Sequence, residues 1–170
     1  MKLINKELVE GAGVIAVVTS LIFVGSQLYF DRRVAMTDSY SSTIESRKAD
    51  SRAKLESDTF MRVQDSLWES GERPRWWSDA LESTEAQNLE TGSEIMALFY
   101  EAQLNYLEFD NTYFRHQQGL ITDIYWNGVR NAIKNELRDP FTRAIFSTRS
   151  SILGATIREL MAEIDSESGT

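Results

Sequence analysis

The chain has 170 residues with 26 acidic and 18 basic side chains, so its formal net charge is −8, and its length suits one domain with a moderate core. It contains no cysteine, which excludes a disulfide scaffold, a thiolate metal site and a cysteine nucleophile. A single histidine, His116, is too few for the usual zinc or di-iron sites, and the acidic excess argues against nucleic-acid binding. The composition therefore predicts no metal, no cofactor and no nucleic-acid partner.

The first element in chain order is an apolar run over residues 11–30, in which no charged residue occurs. As a helix its 20 residues span about 30 Å, the thickness of the hydrocarbon core of a bilayer. The alternatives are a cleaved signal peptide and a buried soluble helix. The run is longer than either usually has, and no small-residue cleavage site follows it before Asp31. We predict a single membrane anchor after a short tail, residues 1–10.

Basic residues near the two ends of the run indicate its orientation. Lys2 and Lys6 precede it, whereas Arg32 and Arg33 follow at once and four more basic residues lie between positions 47 and 54. Because the more basic flank stays in the cytoplasm, the long C-terminal part is expected there.

Small residues recur inside the predicted span. They are Ala12, Gly13, Ala16, Ser20 and Gly25. Lipid offers no hydrophobic drive for helix association, so a face of small residues is where another helix can approach closely. These residues are the candidate packing face for a partner protein or for a second copy of the chain.

A long helix is predicted to leave the membrane over residues 31–72. No proline occurs before Pro74 and no glycine lies between Gly25 and Gly71, so Gly71 and Pro74 are the first residues expected to end it.

A connector over residues 73–83 follows and begins with two arginines and two adjacent tryptophans. Tryptophan favours interfaces because it combines a large apolar ring with a polar N–H. This segment is therefore a candidate contact with lipid headgroups or a partner, and the alternative is a loop folded over the bundle. The candidate residues are Arg73, Arg75, Trp76 and Trp77.

The remainder is predicted as an antiparallel helical bundle over residues 84–165, with a frayed tail over 166–170. Apolar residues spaced by three and four predict a helix that begins after Ser83, contains Gly92 and ends at Gly119. A second helix is expected from Thr122 to about residue 138, with Trp126, Val129, Ile133 and Leu137 facing inward. A short helix over 141–148 and a last helix carrying Ile152, Leu153, Ile157, Leu160 and Ile164 complete an all-α fold.

Two groups of residues are candidate chemical sites. Glu94, Glu101 and Glu108 recur every seven residues, but such side chains lie about 10 Å apart along a helix, too far to share one ion. They are interpreted as a solvated acidic face. His116 lacks an identifiable nucleophile or orienting partner, so we expect it to hydrogen-bond at the end of the bundle near Gly119.

Two segments carry a resemblance. The first contains Ile15-Ala16-Val17-Val18, Ser20-Leu21-Ile22-Phe23-Val24 and Gln27-Leu28, followed by Arg32-Arg33; the second runs from Asp110 to Thr122, with Trp126 after it. Together they resemble a family of bacterial single-span membrane proteins that have a C-terminal helical domain and no assigned activity. The resemblance implies this architecture and a bacterial inner-membrane location, and it supplies no catalytic residue.

The sequence contains no glycine-rich phosphate loop and no Gly-x-Ser-x-Gly motif, which favours a protein that is not an enzyme. We expect an accessory subunit that docks on a larger membrane complex. One alternative is a self-associating, membrane-anchored signalling or stress-response protein. Another is a membrane-bound hydrolase or metal-dependent enzyme that would rely on His116 or Glu101.

Overall fold

A computed structural model describes residues 6–71, 89–148 and 152–168, and in these ranges the chain forms helices and no strands. The six helices are α1 (Lys6–Leu55), α2 (Asp58–Ser70), α3 (Gly92–Gln117), α4 (Asp123–Glu136), α5 (Pro140–Ser147) and α6 (Gly154–Ser168). The predicted all-α fold, with a long N-terminal helix followed by a helical bundle, is confirmed.

The chain divides into two compact units, Met1–Ser39 and Tyr40–Thr170, which we call the anchor unit and the bundle unit. In the anchor unit the large apolar side chains from Val14 to Phe30 are 48–68% exposed. By length and composition, α1 is the one helix among the described residues that is apolar enough to cross a bilayer.

The long helix predicted over residues 31–72 is two helices in the structure. Helix α1 ends at Leu55, and Ser57 begins α2 by accepting a hydrogen bond from the Phe60 amide at 3.2 Å. The serine hydroxyl accepts a hydrogen bond from a free amide of the first turn, and the negative charge of the following aspartate is favourable there. The pair therefore favours the start of a new helix over continuation of α1. The predicted stop at Gly71 is present, with this glycine in the left-handed region at φ 74°.

Helix α3 begins later than the sequence indicated. The predicted start after Ser83 lies outside the described residues, but Leu89 and Glu90 are not helical. Thr91 and Glu94 form a reciprocal capping box, so Gly92 is the first residue of the helix and not an interior one. Gly92 also touches α2, because a Cβ at this position would lie 2.2 Å from the Gln64 carbonyl oxygen.

The C-terminal part of α1 and helix α2 both run antiparallel to α3. Tyr40 bonds Asp110 and Gln103 bonds Ser51, while further along the chain the Asp65 carboxylate accepts from the Ser93 amide. Residue numbers rise along α1 and α2 as they fall along α3. The longest helix of the bundle unit is therefore lined by two successive helices, end to end.

The hydrophobic core lies among α3, α4, α5 and α6. It contains Ile95, Met96, Tyr100, Ala102, Tyr106, Trp126, Ile133, Leu137, Phe141, Ile145, Phe146, Leu153, Ile157, Leu160 and Ile164. The inward face predicted for α4 is present, since Trp126, Ile133 and Leu137 are buried and Val129 packs against them.

A ladder of ion pairs joins α4 to α6. Arg130 bonds Glu163, and Lys134 bonds both Glu163 and Glu167 at 3.2 and 2.6 Å. The residue numbers of the bonded partners increase in the same direction along both helices, so α4 and α6 run parallel. Alternate helices of an up-and-down bundle have this relation. The hydrogen bonds from Arg130 and Lys134 lower the pKa of the Glu163 carboxyl.

The last helix differs from its prediction at both ends. Ile152 and Leu153 precede α6, which begins at Gly154, although both were assigned to the helix. The tail expected to fray from residue 166 is helical to Ser168, because Glu167 and Asp165 are held by Lys134 and Arg143.

Replacing Gly92 by alanine is expected to lower the free energy of unfolding of the bundle by about 1–3 kcal/mol. The new methyl group would meet backbone atoms of Gln64 at 2.2 and 2.6 Å, so α2 would have to move. Gly128→Ala is the matched control, because its Cβ meets nothing within 4 Å and removing a helical glycine gains about 0.5–1 kcal/mol. Denaturation of the full-length variants in detergent, followed by circular dichroism, measures both. Equal effects would contradict the close α2–α3 approach.

Candidate functional site

The small residues of the span lie on an uncovered stretch of α1. Ala12, Gly13, Ala16, Ser20 and Gly25 are all exposed, and a Cβ at Gly13 or Gly25 would meet no atom within 4 Å. Ala12, Ala16 and Ser20 follow one another at four-residue intervals on one face, whereas Gly25 lies about 140° away from Ser20 around the helix. The small-residue face therefore consists of the first four residues without Gly25, and its role in helix packing stays a prediction.

The serine and threonine hydroxyls of the predicted span are hydrogen-bonded within α1. Thr19 donates to the Ile15 carbonyl at 2.8 Å, Ser20 to Ala16 at 2.9 Å and Ser26 to Phe23 at 2.8 Å. In hydrocarbon an unsatisfied polar group costs several kcal/mol, so such internal bonds are what a lipid-facing helix needs.

An arginine and a tyrosine meet at the C-terminal end of the apolar run. The Arg33 guanidinium lies 5.4 Å from the centre of the Tyr29 ring, a cation–π contact. Tyrosine and arginine are both suited to the headgroup level of a bilayer, where apolar acyl chains lie on one side and water lies on the other.

The tryptophan connector lies outside the described residues. Arg73, Arg75, Trp76 and Trp77 fall in the gap between residues 71 and 89, so their proposed interface stays a prediction.

The three glutamates on α3 have separate surroundings. Glu94 accepts from the amides of Glu90 and Thr91, which lowers the pKa of its carboxyl. Glu108 bonds Lys48 at 2.7 Å, and this ion pair helps to raise the pKa of the lysine. Glu101 lies at the rim of a cleft. Among the described residues no group of three or more acidic or histidine side chains is placed to hold a metal ion.

The cleft beside Glu101 lies between α3 and the start of α5 and has a volume of about 450 Å³. Leu98, Ala102 and Phe141 give it an apolar floor. Glu136 and Asp139 add carboxylates to its rim, and Asp139 is engaged in capping α5 through the Thr142 amide at 2.7 Å. The negative lining disfavours any anionic ligand.

His116 makes the hydrogen bond expected at the end of the bundle. Its Nε2 lies 2.9 Å from an Asp123 carboxylate oxygen, and its ring stacks on Trp126 with 5.3 Å between ring centres. Its Nδ1 is buried without a hydrogen-bond partner. This histidine joins the last turn of α3 to the first turn of α4 across the Gly119 turn, which is a structural role.

Sequence reasoning missed the most buried charge of the bundle. Asp110 is only 2% exposed; its carboxylate accepts the Tyr40 hydroxyl at 2.5 Å and the Leu153 amide at 3.3 Å. Its neighbour Asn111, also buried, accepts a hydrogen bond from Ser41 at 2.8 Å. The available signal was spacing, since position 110 continues the three-and-four pattern of inward positions on α3.

The chain matches no protein-family model, no curated protein and no solved structure.

Replacing Tyr40 by phenylalanine is expected to lower the free energy of unfolding of the bundle by about 1–3 kcal/mol, because buried Asp110 loses a donor. Burial and the adjacent carboxylate raise the pKa of Tyr40. Its stabilising contribution is thus complete below about pH 10, where tyrosine in the unfolded chain ionises, and is lost at higher pH.

The difference between wild type and Tyr40→Phe should accordingly shrink as pH rises above about 10. Denaturation of full-length protein in detergent at neutral and alkaline pH measures it. Tyr125→Phe is the control, because this tyrosine is 60% exposed and should change stability little. A Tyr40→Phe variant as stable as the control would contradict the role of the buried pair.

Proposed function

We propose that this chain is a non-enzymatic, single-span accessory subunit that docks on a larger membrane protein complex, of a respiratory, photosynthetic or transport kind. The observation that carries the proposal is the exposure of α1. Eleven large apolar residues between Val14 and Phe30 are 48–68% exposed. They are Val14, Ile15, Val17, Val18, Leu21, Ile22, Phe23, Val24, Leu28, Tyr29 and Phe30.

A bilayer accounts for this exposure better than water does. Successive residues of a helix are turned by about 100°, so a nearly continuous apolar run is apolar on every side. Soluble proteins rarely expose apolar patches above a few hundred Å². The internal bonds of Thr19, Ser20 and Ser26 satisfy the serine and threonine hydroxyls of the same segment without water.

The face of Ala12, Gly13, Ala16 and Ser20 supports docking within the membrane. Small side chains let helix backbones approach closely, which is the main source of packing energy between helices in lipid. The Ser20 hydroxyl already donates to the Ala16 carbonyl. A partner helix can therefore pack against this face by close van der Waals contact and need not supply a hydrogen bond. A helix of a partner complex fits such a surface.

The proposed location is the bacterial inner membrane with the bundle in the cytoplasm. Residues 1–30 contain two lysines and two glutamates and are neutral, so the net charge of −8 belongs to residues 31–170. The basic pair Arg32 and Arg33 follows Asp31 close to the span, and it favours the cytoplasmic side. Beyond it, an acidic bundle suits a basic protein surface better than anionic headgroups.

The orientation has its own test. A fluorescent protein that folds only in the cytoplasm, fused after Thr170, is expected to be fluorescent. Removing the basic pair with Arg32→Ser and Arg33→Ser is expected to reduce that fluorescence, because the charge bias across the span is lost. A dark fusion of normal abundance would contradict the proposed orientation.

Enlarging the small face is expected to release the partner complex. Ala16→Leu and Ser20→Leu should greatly reduce the amount of complex that co-purifies from gently solubilised membranes, measured by native gel and mass spectrometry. Val18→Phe is the matched control, because residue 18 lies about 200° from residue 16 around the helix and faces the other side. Migration of the wild type as a lone 19.4 kDa species would contradict the proposal.

The same exposed face also supports a second function, self-association of a membrane-anchored signalling or stress-response protein. Ala16→Cys and Ser20→Cys distinguish the two, since the chain has no other cysteine. Disulfide-linked homodimers in native membranes would favour the second function, and a cross-link to another protein would favour the first.

A further inference from the structure

Three exposed apolar side chains of the bundle unit, including its most exposed one, lie at the same end. Among its described residues, five large apolar side chains are exposed: Val63, Leu98, Ile124, Tyr125 and Ile152. Ile124 is 86% exposed, more than any large apolar residue of the span. Ile124 and Tyr125 lie in the first turn of α4, and Ile152 lies just before α6. We call Ile124, Tyr125 and Ile152 the apolar end patch.

The register of the two helices places these residues at the same end. Ion pairs between α4 and α6 join residues 29 to 33 positions apart, as in Arg130 with Glu159 and Lys134 with Glu167. The same offset sets Ile124 opposite the start of α6, where Ile152 lies. Val63 on α2 and Leu98 near the start of α3 belong to the other end.

This end of the bundle is tied to Tyr40, where the bundle unit begins. The Leu153 amide, next to Ile152, donates to Asp110, and Asp110 accepts from Tyr40. Phe114, in the last turns of α3, stacks on Tyr40 with 4.2 Å between ring centres. The patch therefore belongs to the end with the shortest chain connection to the apolar run of α1.

That connection is ten residues long, from Phe30 to Tyr40. Ten residues span at most about 35 Å even when the chain is fully extended. A surface on this end is thus within a short tether of the bilayer, at a high effective concentration.

We propose that the apolar end patch inserts into the headgroup–acyl boundary of the bilayer that holds the anchor, an inference that rests on the proposed membrane span. Isoleucine side chains supply apolar area and Tyr125 keeps its hydroxyl at headgroup level. Asp123, which is 92% exposed beside the patch, gives no attraction to anionic lipid. The contact is therefore hydrophobic, needs no anionic lipid, and in a neutral bilayer is expected to be insensitive to salt.

A protein partner fits this patch less well. A stable protein interface buries about 800 Å² on each side, far more than three side chains at helix starts provide. Because the tether already supplies proximity, a weak contact with lipid suffices to hold the bundle against the membrane.

The cysteine-free chain permits a direct test with single labels. Full-length Ile124→Cys, Val63→Cys and Ile22→Cys, each carrying an environment-sensitive fluorophore, are reconstituted in phosphatidylcholine vesicles that contain spin-labelled lipid. Val63 is the matched control because it is an aliphatic residue, 50% exposed, at the other end of the bundle. Quenching at positions 22 and 124 is expected to be several-fold stronger than at position 63 and unchanged by salt.

A second measurement guards against an artefact of the label. The label is moved to Ile152→Cys, and quenching there is expected to fall to the Val63 level when Ile124→Glu and Tyr125→Ser are added. Circular dichroism of these exposed variants checks that the bundle is folded.

Each other outcome overturns the inference in a distinguishable way. Weak quenching at position 124 with strong quenching at 22 refutes the patch and leaves the anchor. Weak quenching at 22 as well refutes the anchor and the patch together. If the label at position 124 reports an apolar environment without lipid quenching, and this environment is lost when the protein is diluted in lipid, the patch is a contact between proteins.

Discussion

The buried carboxylate of Asp110 is the group on which the arrangement of the bundle depends. It accepts hydrogen bonds from Tyr40 on α1 and from the backbone amide of Leu153 before α6, so one side chain on α3 connects three segments of the chain. A buried charge is tolerated only with such partners. A slip of α1 would remove the Tyr40 donor and a slip of the α6 start would remove the Leu153 donor, so both hydrogen bonds favour this register.

The contact between α1 and α3 is largely polar around this group. Ser41 bonds Asn111, Lys48 bonds Glu108, and Gln103 bonds Ser51, whose hydroxyl is fully buried. Ile44, 1% exposed, is the main apolar residue of α1 in this stretch. The first part of α1 is thus apolar and exposed, whereas its second part packs on α3 through hydrogen bonds. The first part suits an apolar surrounding and the second part suits a helical bundle in water.

Local signals in the sequence predicted the elements where the deciding residues are close together. Gly71 and the Thr122 cap each act within one helical turn, and the structure has both. The break at Ser57 was missed because a serine has no fixed role in a helix and caps only when the chain turns there. Asp110 was missed for a related reason, since its three-and-four spacing is clear but its carboxylate partners lie 43 and 70 residues away.

The sequence by itself determined the helical class, the apolar first part of α1 and several helix ends, because periodicity, capping and a charge-free run are local properties. Only the tertiary structure decided which polar residues are buried, that α4 and α6 run parallel through an ion-pair ladder, and that Ile124, Tyr125 and Ile152 lie at one end. These features depend on which distant segments meet. No spacing within a single helix encodes that choice, because it follows from packing the helices together.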